Sequence, residues 1–279
     1  MKHWISFLSV YAALCFLFGG CTERLPAKGP DETNPTLTQL DRPQEGQTLT
    51  LRVIDGAEEG QLLLAGTQED SSLYTISIDP AVQDVQNGQL VSVRSDIILE
   101  TYPAQFDPDA TLEVLEDGFD DRCALYLQVL EDLWEKDAAL NSDVTFISVD
   151  LAGTSLSPAE RSGVAWAFAS AHQATALELD LEGLLEEGYL TTVEPEDPSH
   201  SAPYVSHWED GILFSIEELE EDPSFSLGEK APDVLNTVVF TAQKWRSSLG
   251  AYGFSRCTAV QSNSGAWGAY QIQGGEFIS

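Results

Sequence analysis

From residue 49 apolar and polar positions alternate with a period of two, the pattern of a strand with one buried face. Leu49, Leu51 and Val53 alternate with Thr50 and Arg52. Gln61 to Ala65 is a short apolar run, Leu73 to Ile78 alternates again, and Leu90, Val91 and Val93 follow the turn pair Asn87-Gly88. Ile97 to Thr101 completes five short runs separated by Gly, Asp and Pro. Such spacing predicts a small five-stranded all-β domain over residues 49–106, a small closed barrel, of which an OB-like barrel is one form, or a compact sandwich. The period changes after Phe106. Phe119, Cys123, Tyr126, Leu127, Leu130, Leu133 and Trp134 recur at helical spacing, with Asp120 and Asp121 placed in the first turn. Val144 to Leu151 reads as a strand. Ser157-Pro158-Ala159-Glu160 carries a capping-box signature and predicts a helix to about His172. Leu181 to Glu187 reads as a short helix stopped by Gly188, and strands are expected at 211–216, 237–247, 256–261 and 267–272. Residues 111–279 therefore predict an α+β domain with a C-terminal antiparallel sheet.

The two ends of this pattern have different chemistry. Trp4 to Phe18 is almost continuously apolar behind Lys2, too short to span a bilayer and of signal-peptide length. It ends in Leu17-Phe18-Gly19-Gly20-Cys21. This segment resembles the lipobox of bacterial lipoproteins, with Phe18 where Leu is usual. The resemblance implies cleavage after residue 20, lipidation of Cys21, and anchoring at the outer face of the cytoplasmic membrane. Residues 21–48 then supply the lipidated Cys and a polar tether with four prolines.

The stretches VIDGAEEGQLLLAG (53–66), ETYPAQF (100–106), ALYLQVLEDLWEKDAALNSD (124–143) and KWRSSLGAYGFSRCTAV (244–260) resemble uncharacterised lipoproteins of Gram-positive gut bacteria. That likeness carries no known activity. The last strands are also similar in pattern to the end of NTF2-like or cystatin-like domains.

Charge narrows the partners. The 279-residue chain has 46 acids against 13 Lys and Arg, a formal net charge of −33. Nucleic acid is excluded as a partner, because a phosphate backbone needs a basic footprint. The acid is uneven. Residues 22–110 hold five cations and 16 acids, 111–235 hold four and 29, and 236–279 hold three and one. Lys244 and Arg246 lie two residues apart in this last segment and share one strand face, either neutralising acids within the fold or forming an anion-binding face.

Motifs for mechanism are absent. There is no phosphate loop, dinucleotide turn, H-E-x-x-H, C-x-x-C or G-x-S-x-G. The acidic stretch from Asp107 lacks the Gly and Glu of a calcium loop. No catalytic residue, metal ligand or cofactor is assigned. His172 falls at a helix end; His200 and His207 bracket a loop near Glu209 and Asp210. Cys123 and Cys257 are either a disulfide, contributing roughly 5 kcal/mol through loop closure, or two buried core thiols. Glu217 to Asp222 reads as a solvated acidic run, and Trp245 and Trp267 as packing residues or a glycan platform. The expectation is a membrane-anchored, non-catalytic binding or interaction protein at the cell surface, with an envelope protein or glycan as partner. The alternatives are an envelope hydrolase using paired carboxylates and a capture protein for a cation or small solute.

Overall fold

The alternating run at the start of the described chain forms β1 (Gln47–Asp55), which lies inside a seven-stranded sheet rather than at its edge. The computed structural model describes residues 46–67, 72–193, 204–205, 207–220 and 234–278. The other strands of this sheet are β2 (Gln61–Gly66), β3 (Leu73–Ser77), β4 (Leu90–Ser95), β5 (Ile98–Leu99), β6 (Ala104–Phe106) and β7 (Thr111–Val114). All five runs read from periodicity are present. The order is β5-β6-β3-β2-β1-β4-β7, and among the described residues no pairing joins β5 to β7. The sheet is therefore open, which corrects the expected closed barrel. Two strands are added: β6, which pairs parallel with β3 and antiparallel with β5, and β7, which lies beyond residue 106 and pairs antiparallel with β4.

Helix α1 (Arg122–Glu135) buries Cys123, Tyr126, Val129, Leu130 and Leu133 along one face. A single 3-10 turn, Ala138–Asn141, leads to β8 (Phe146–Asp150). Helix α2 (Pro158–Ala171) starts as its sequence dictates. Ser157 Oγ accepts from Glu160 N at 3.3 Å, and Glu160 Oε2 accepts from Ser157 N at 2.9 Å. The reciprocal bonds satisfy two backbone donors that a helix start otherwise leaves free. Next come β9 (Thr175–Leu177), α3 (Leu181–Glu186), the pair β10 (Thr192–Val193) and β11 (Tyr204–Val205), β12 (Gly211–Glu218), β13 (Val234–Ser247), β14 (Gly250–Ser262) and β15 (Gln271–Ile278).

The second large sheet has the order β15-β14-β13-β12-β8-β9. The meander β12 to β15 is antiparallel as expected, but β8 pairs parallel with both β12 and β9. The sheet is mixed, not purely antiparallel, because β8–α2–β9 is a crossover and a helical crossover returns the chain parallel. The fold class is α+β.

Both sheets share one core. Ile54, Leu63, Ala65 and Leu73 of the first sheet cluster with α1, α2 and the inner face of the second. Helix α2 buries small residues, Ala159, Gly163, Ala165, Ala167 and Ala169, together with Ser162, Val164 and Phe168. A Cβ on Gly163 would come within 3.0 Å of Ile54 Cγ1. The first sheet's other apolar residues form a separate cluster around Leu51, Val53, Leu62, Leu64 and Val91. Residues Gln44–Ser279 make one compact unit. Among the described residues no helix is long and apolar enough to cross a membrane.

Candidate functional site

Helix α1 presents two faces. The buried one enters the core; the other borders an open groove of about 580 Å³. Its helical wall is the stripe Asp121, Ala124, Leu125, Gln128 and Asp132, and the facing wall is the segment Trp267 to Ile272. Helical periodicity puts positions i, i+3, i+4, i+7 and i+11 on one side, so this wall is continuous.

The facing wall is fastened to the helix by its polar groups. Asp121 is the N-cap residue of α1, yet its side chain does not cap the helix. Its Oδ1 accepts the backbone N–H of Trp267 at 2.7 Å, while Asp120 Oδ1 accepts the Trp267 indole N–H at 2.7 Å. The expected dipole role of these two acids is therefore replaced by an anchoring one, and the first turn of α1 contains no acid. Burial raises the Asp121 carboxyl above its ordinary value, opposed by the bond from Trp267. At the other end, Tyr270 donates to Asp132 Oδ2 at 2.6 Å and Gln128 Nε2 donates to Asp132 Oδ1 at 2.8 Å. Burial and the Asp132 contact both raise the Tyr270 phenol well above its usual range.

None of the lining residues is Lys or Arg. The nearest cations are occupied elsewhere. Arg122 lies over the Trp267 ring, 4.6 Å from its centroid, and turns its guanidinium toward Ser155 and Glu218. Lys136, beyond the Asp132 end, pairs with Glu276 at 2.9 Å.

Lys244 and Arg246 do share a strand face, and that face points inward. Lys244 is fully buried and Arg246 nearly so. Lys244 Nζ donates to the carbonyls of Trp134, Lys136 and Asp137 and to Asn141 Oδ1, at the carboxyl end of α1. Cations are favoured there because the last helical carbonyls lack intrahelical donors. Arg246 donates to the carbonyls of Trp208, Leu140, Ser142 and Glu209. Their partners are backbone carbonyls rather than the acids expected for neutralisation. Burial lowers Lys244 to about 8, opposed by Asp137.

Cys123 and Cys257 are free and buried in the common core. Burial pushes the Cys257 thiol up to about 12 and Cys123 well above its ordinary value. His172 closes α2, stacks on Trp134 at 3.9 Å and contacts Glu131 at 3.1 Å. His207 is exposed, bridges to Ser247 and lies outside the groove. Trp245 packs against the cluster of Leu184, Leu190, Trp208 and Leu213. From the acidic run, Glu218 is built into the fold, accepting from Tyr126 Oη at 2.6 Å and from Ser155 N and Oγ. Cys21, residues 22–45 of the tether, His200, Glu221 and Asp222 lie outside the described residues, and the tether's expected last residues Gln47 and Thr48 belong to β1.

The groove was not foreseen. Its signal was the hydrophilic flank of α1, where Asp121, Gln128 and Asp132 keep helical register with Ala124 and Leu125. Comparison with family models, with curated proteins and with solved structures finds no match to this chain.

Proposed function

We propose that the protein is an exported lipoprotein, anchored through Cys21 at the outer face of the cytoplasmic membrane, whose folded part binds rather than catalyses. The observation supporting export and anchoring is the junction Leu17-Phe18-Gly19-Gly20-Cys21, set between an apolar run and a polar tether. Two acyl chains on one cysteine hold a protein stably at a bilayer, whereas one does so only marginally.

A binding role is supported by the groove beside α1. It combines apolar walls with a few placed polar groups, the usual make-up of a ligand site. It favours small-solute capture over the docking of a large envelope partner. Mass spectrometry of the membrane fraction tests the anchor. The expected species begins at an acylated Cys21, and Cys21→Ser releases the protein from the membrane. A soluble wild-type protein with unmodified Cys21 overturns the anchored reading.

A further inference from the structure

We infer that the groove between α1 and the Trp267–Ile272 segment is a binding site for a linear aliphatic polyamine. This deepens the solute-capture reading and rests on a binding role for the folded part. The geometry comes from the helix. Asp121 and Asp132 are eleven residues apart, three turns of α1, and both line the groove. At a rise of 1.5 Å per residue they stand about 16 Å apart along one wall. Allowing a hydrogen bond of about 2.8 Å at each end leaves roughly 11 Å between bound donors. That is the reach of an extended triamine with propyl and butyl arms, whose terminal ammonium groups would meet the two carboxylates.

The chemistry between the ends agrees with such a ligand. Ala124 on the helix and Ala269 and Ile272 opposite offer apolar surface to the methylene arms, while Leu125 and Trp267, both largely buried in the core, back the groove. Gln128 lies between them, nearer Asp132, its carbonyl oxygen able to accept from a central secondary ammonium while its amide nitrogen donates to Asp132. Both carboxylates are held only by neutral donors: Trp267 N for Asp121, and Tyr270 Oη with Gln128 Nε2 for Asp132. Those bonds fix the acids in place and leave each with unused acceptor capacity. No Lys or Arg lines the groove itself, although Arg122 lies on the Trp267 ring and Lys136 interacts with Asp132 from beyond its end; a cationic ligand adds charge complementarity to the two lining carboxylates. An anion, by contrast, would meet two like charges.

The test is calorimetric titration of the full chain, in detergent, with spermidine at low salt. The expected result is one saturable site per chain, weakening as salt rises. Hexylamine, which has the aliphatic arm and a single ammonium, is expected to bind about tenfold or more weakly, having lost one charge contact. Asp121→Asn keeps an acceptor for the Trp267 N–H, and Asp132→Asn keeps an acceptor for one of its two donors, Tyr270 Oη or Gln128 Nε2; each is expected to weaken binding about five- to tenfold. Ala124→Phe fills the groove at unchanged net charge and is expected to abolish binding. Retained thermal unfolding temperatures show that the variants are folded, and Ala124→Phe together with Asp132→Asn decides the matter if Asp121→Asn does not fold. Absence of the site, equal affinity for hexylamine, or many weak sites untouched by Ala124→Phe overturns the inference. The last outcome is the response of a general acidic surface. None of these results bears on the acylation of Cys21, which stands or falls on its own experiment.

Discussion

Arg52 Nε lies 2.7 Å from Glu160 Oε1, joining an inner strand of the first sheet, β1, to the helix that separates it from the second. The two residues are 108 positions apart, and both side chains are mostly shielded from solvent. Glu160 also completes the capping box of α2, and Arg52 Nη1 also holds the carbonyls of Gly88 and Gly118. One ion pair therefore ties a helix start, two loops and a strand. Arg52→Met strands the paired carboxylate and those carbonyls, and is expected to cost about 2–3 kcal/mol. Glu160→Gln preserves the reach back to Ser157 N and is expected to cost less than Glu160→Ala, which loses cap and pair together. Urea unfolding of the three variants measures the order.

Gly88 makes the second junction between the sheets. It has φ of +93°, and a Cβ there would lie 2.7 Å from the Asp121 Cα. The neighbouring backbone bonds Gly88 N to Val53 O and Asp120 N to Gly88 O fix the loop against α1. Gly88→Ala meets both a left-handed backbone and a backbone obstacle. A loss of about 2–4 kcal/mol is expected in thermal or urea unfolding, although the position is a surface turn by sequence.

Periodicity exposed the elements of this fold better than its closures. Strands with one buried face and helix α2, with its explicit cap, are written in neighbouring residues, so β1 to β5 and Pro158–Ala171 were legible. The bulge in β14 was not. Phe240 pairs with Cys257 and Ala242 with Phe254, so two residues face one, and Arg256 takes φ of +51°. That extra residue shifts the face on which side chains fall, and the alternation from Tyr252 to Ala259 is lost to a pattern reader. Lys244 and Arg246 misled for a different reason. Their register on one strand face was right, but two charges in sequence do not reveal that eight carbonyl and amide oxygens await them inside. The groove was hidden likewise, because it needs Trp267 to fold back onto a helix more than 140 residues earlier.

The buried thiols give a direct check on the core. Cys123 and Cys257 belong to one apolar cluster, both unbridged. Intact mass is expected to be the same with and without reductant. Alkylation by iodoacetamide is expected to be slow in the native protein and fast in urea, since burial holds both thiols protonated at neutral pH. A two-dalton rise in mass on reduction would contradict the unbridged core. Cys257→Ser places a hydroxyl where no carbonyl partner is arranged, and is expected to destabilise by about 1–3 kcal/mol, more than Cys257→Ala.

Lys244 predicts a pH signature of opposite sign to that of the thiols. Burial lowers its folded pKa from 10.5 to about 8. Between these values the folded chain has released a proton that the unfolded chain still holds. Stability from this residue therefore rises with pH across the window from about 8 to 10.5, and is lost as pH falls through the lower value. The buried thiols act the other way. Cys257 stays protonated in the fold to about 12 while an unfolded thiol ionises near 9, so its contribution declines as pH rises above 9. The two effects overlap in the wild-type profile and separate by difference. Subtracting the unfolding free energy of Lys244→Met from that of the wild type, both followed by urea titration from pH 7 to 10.5, removes the thiols. The difference is expected to grow with pH above 8. A flat difference would mean that Lys244 titrates with its ordinary value, and that its ammonium is not enclosed at the end of α1.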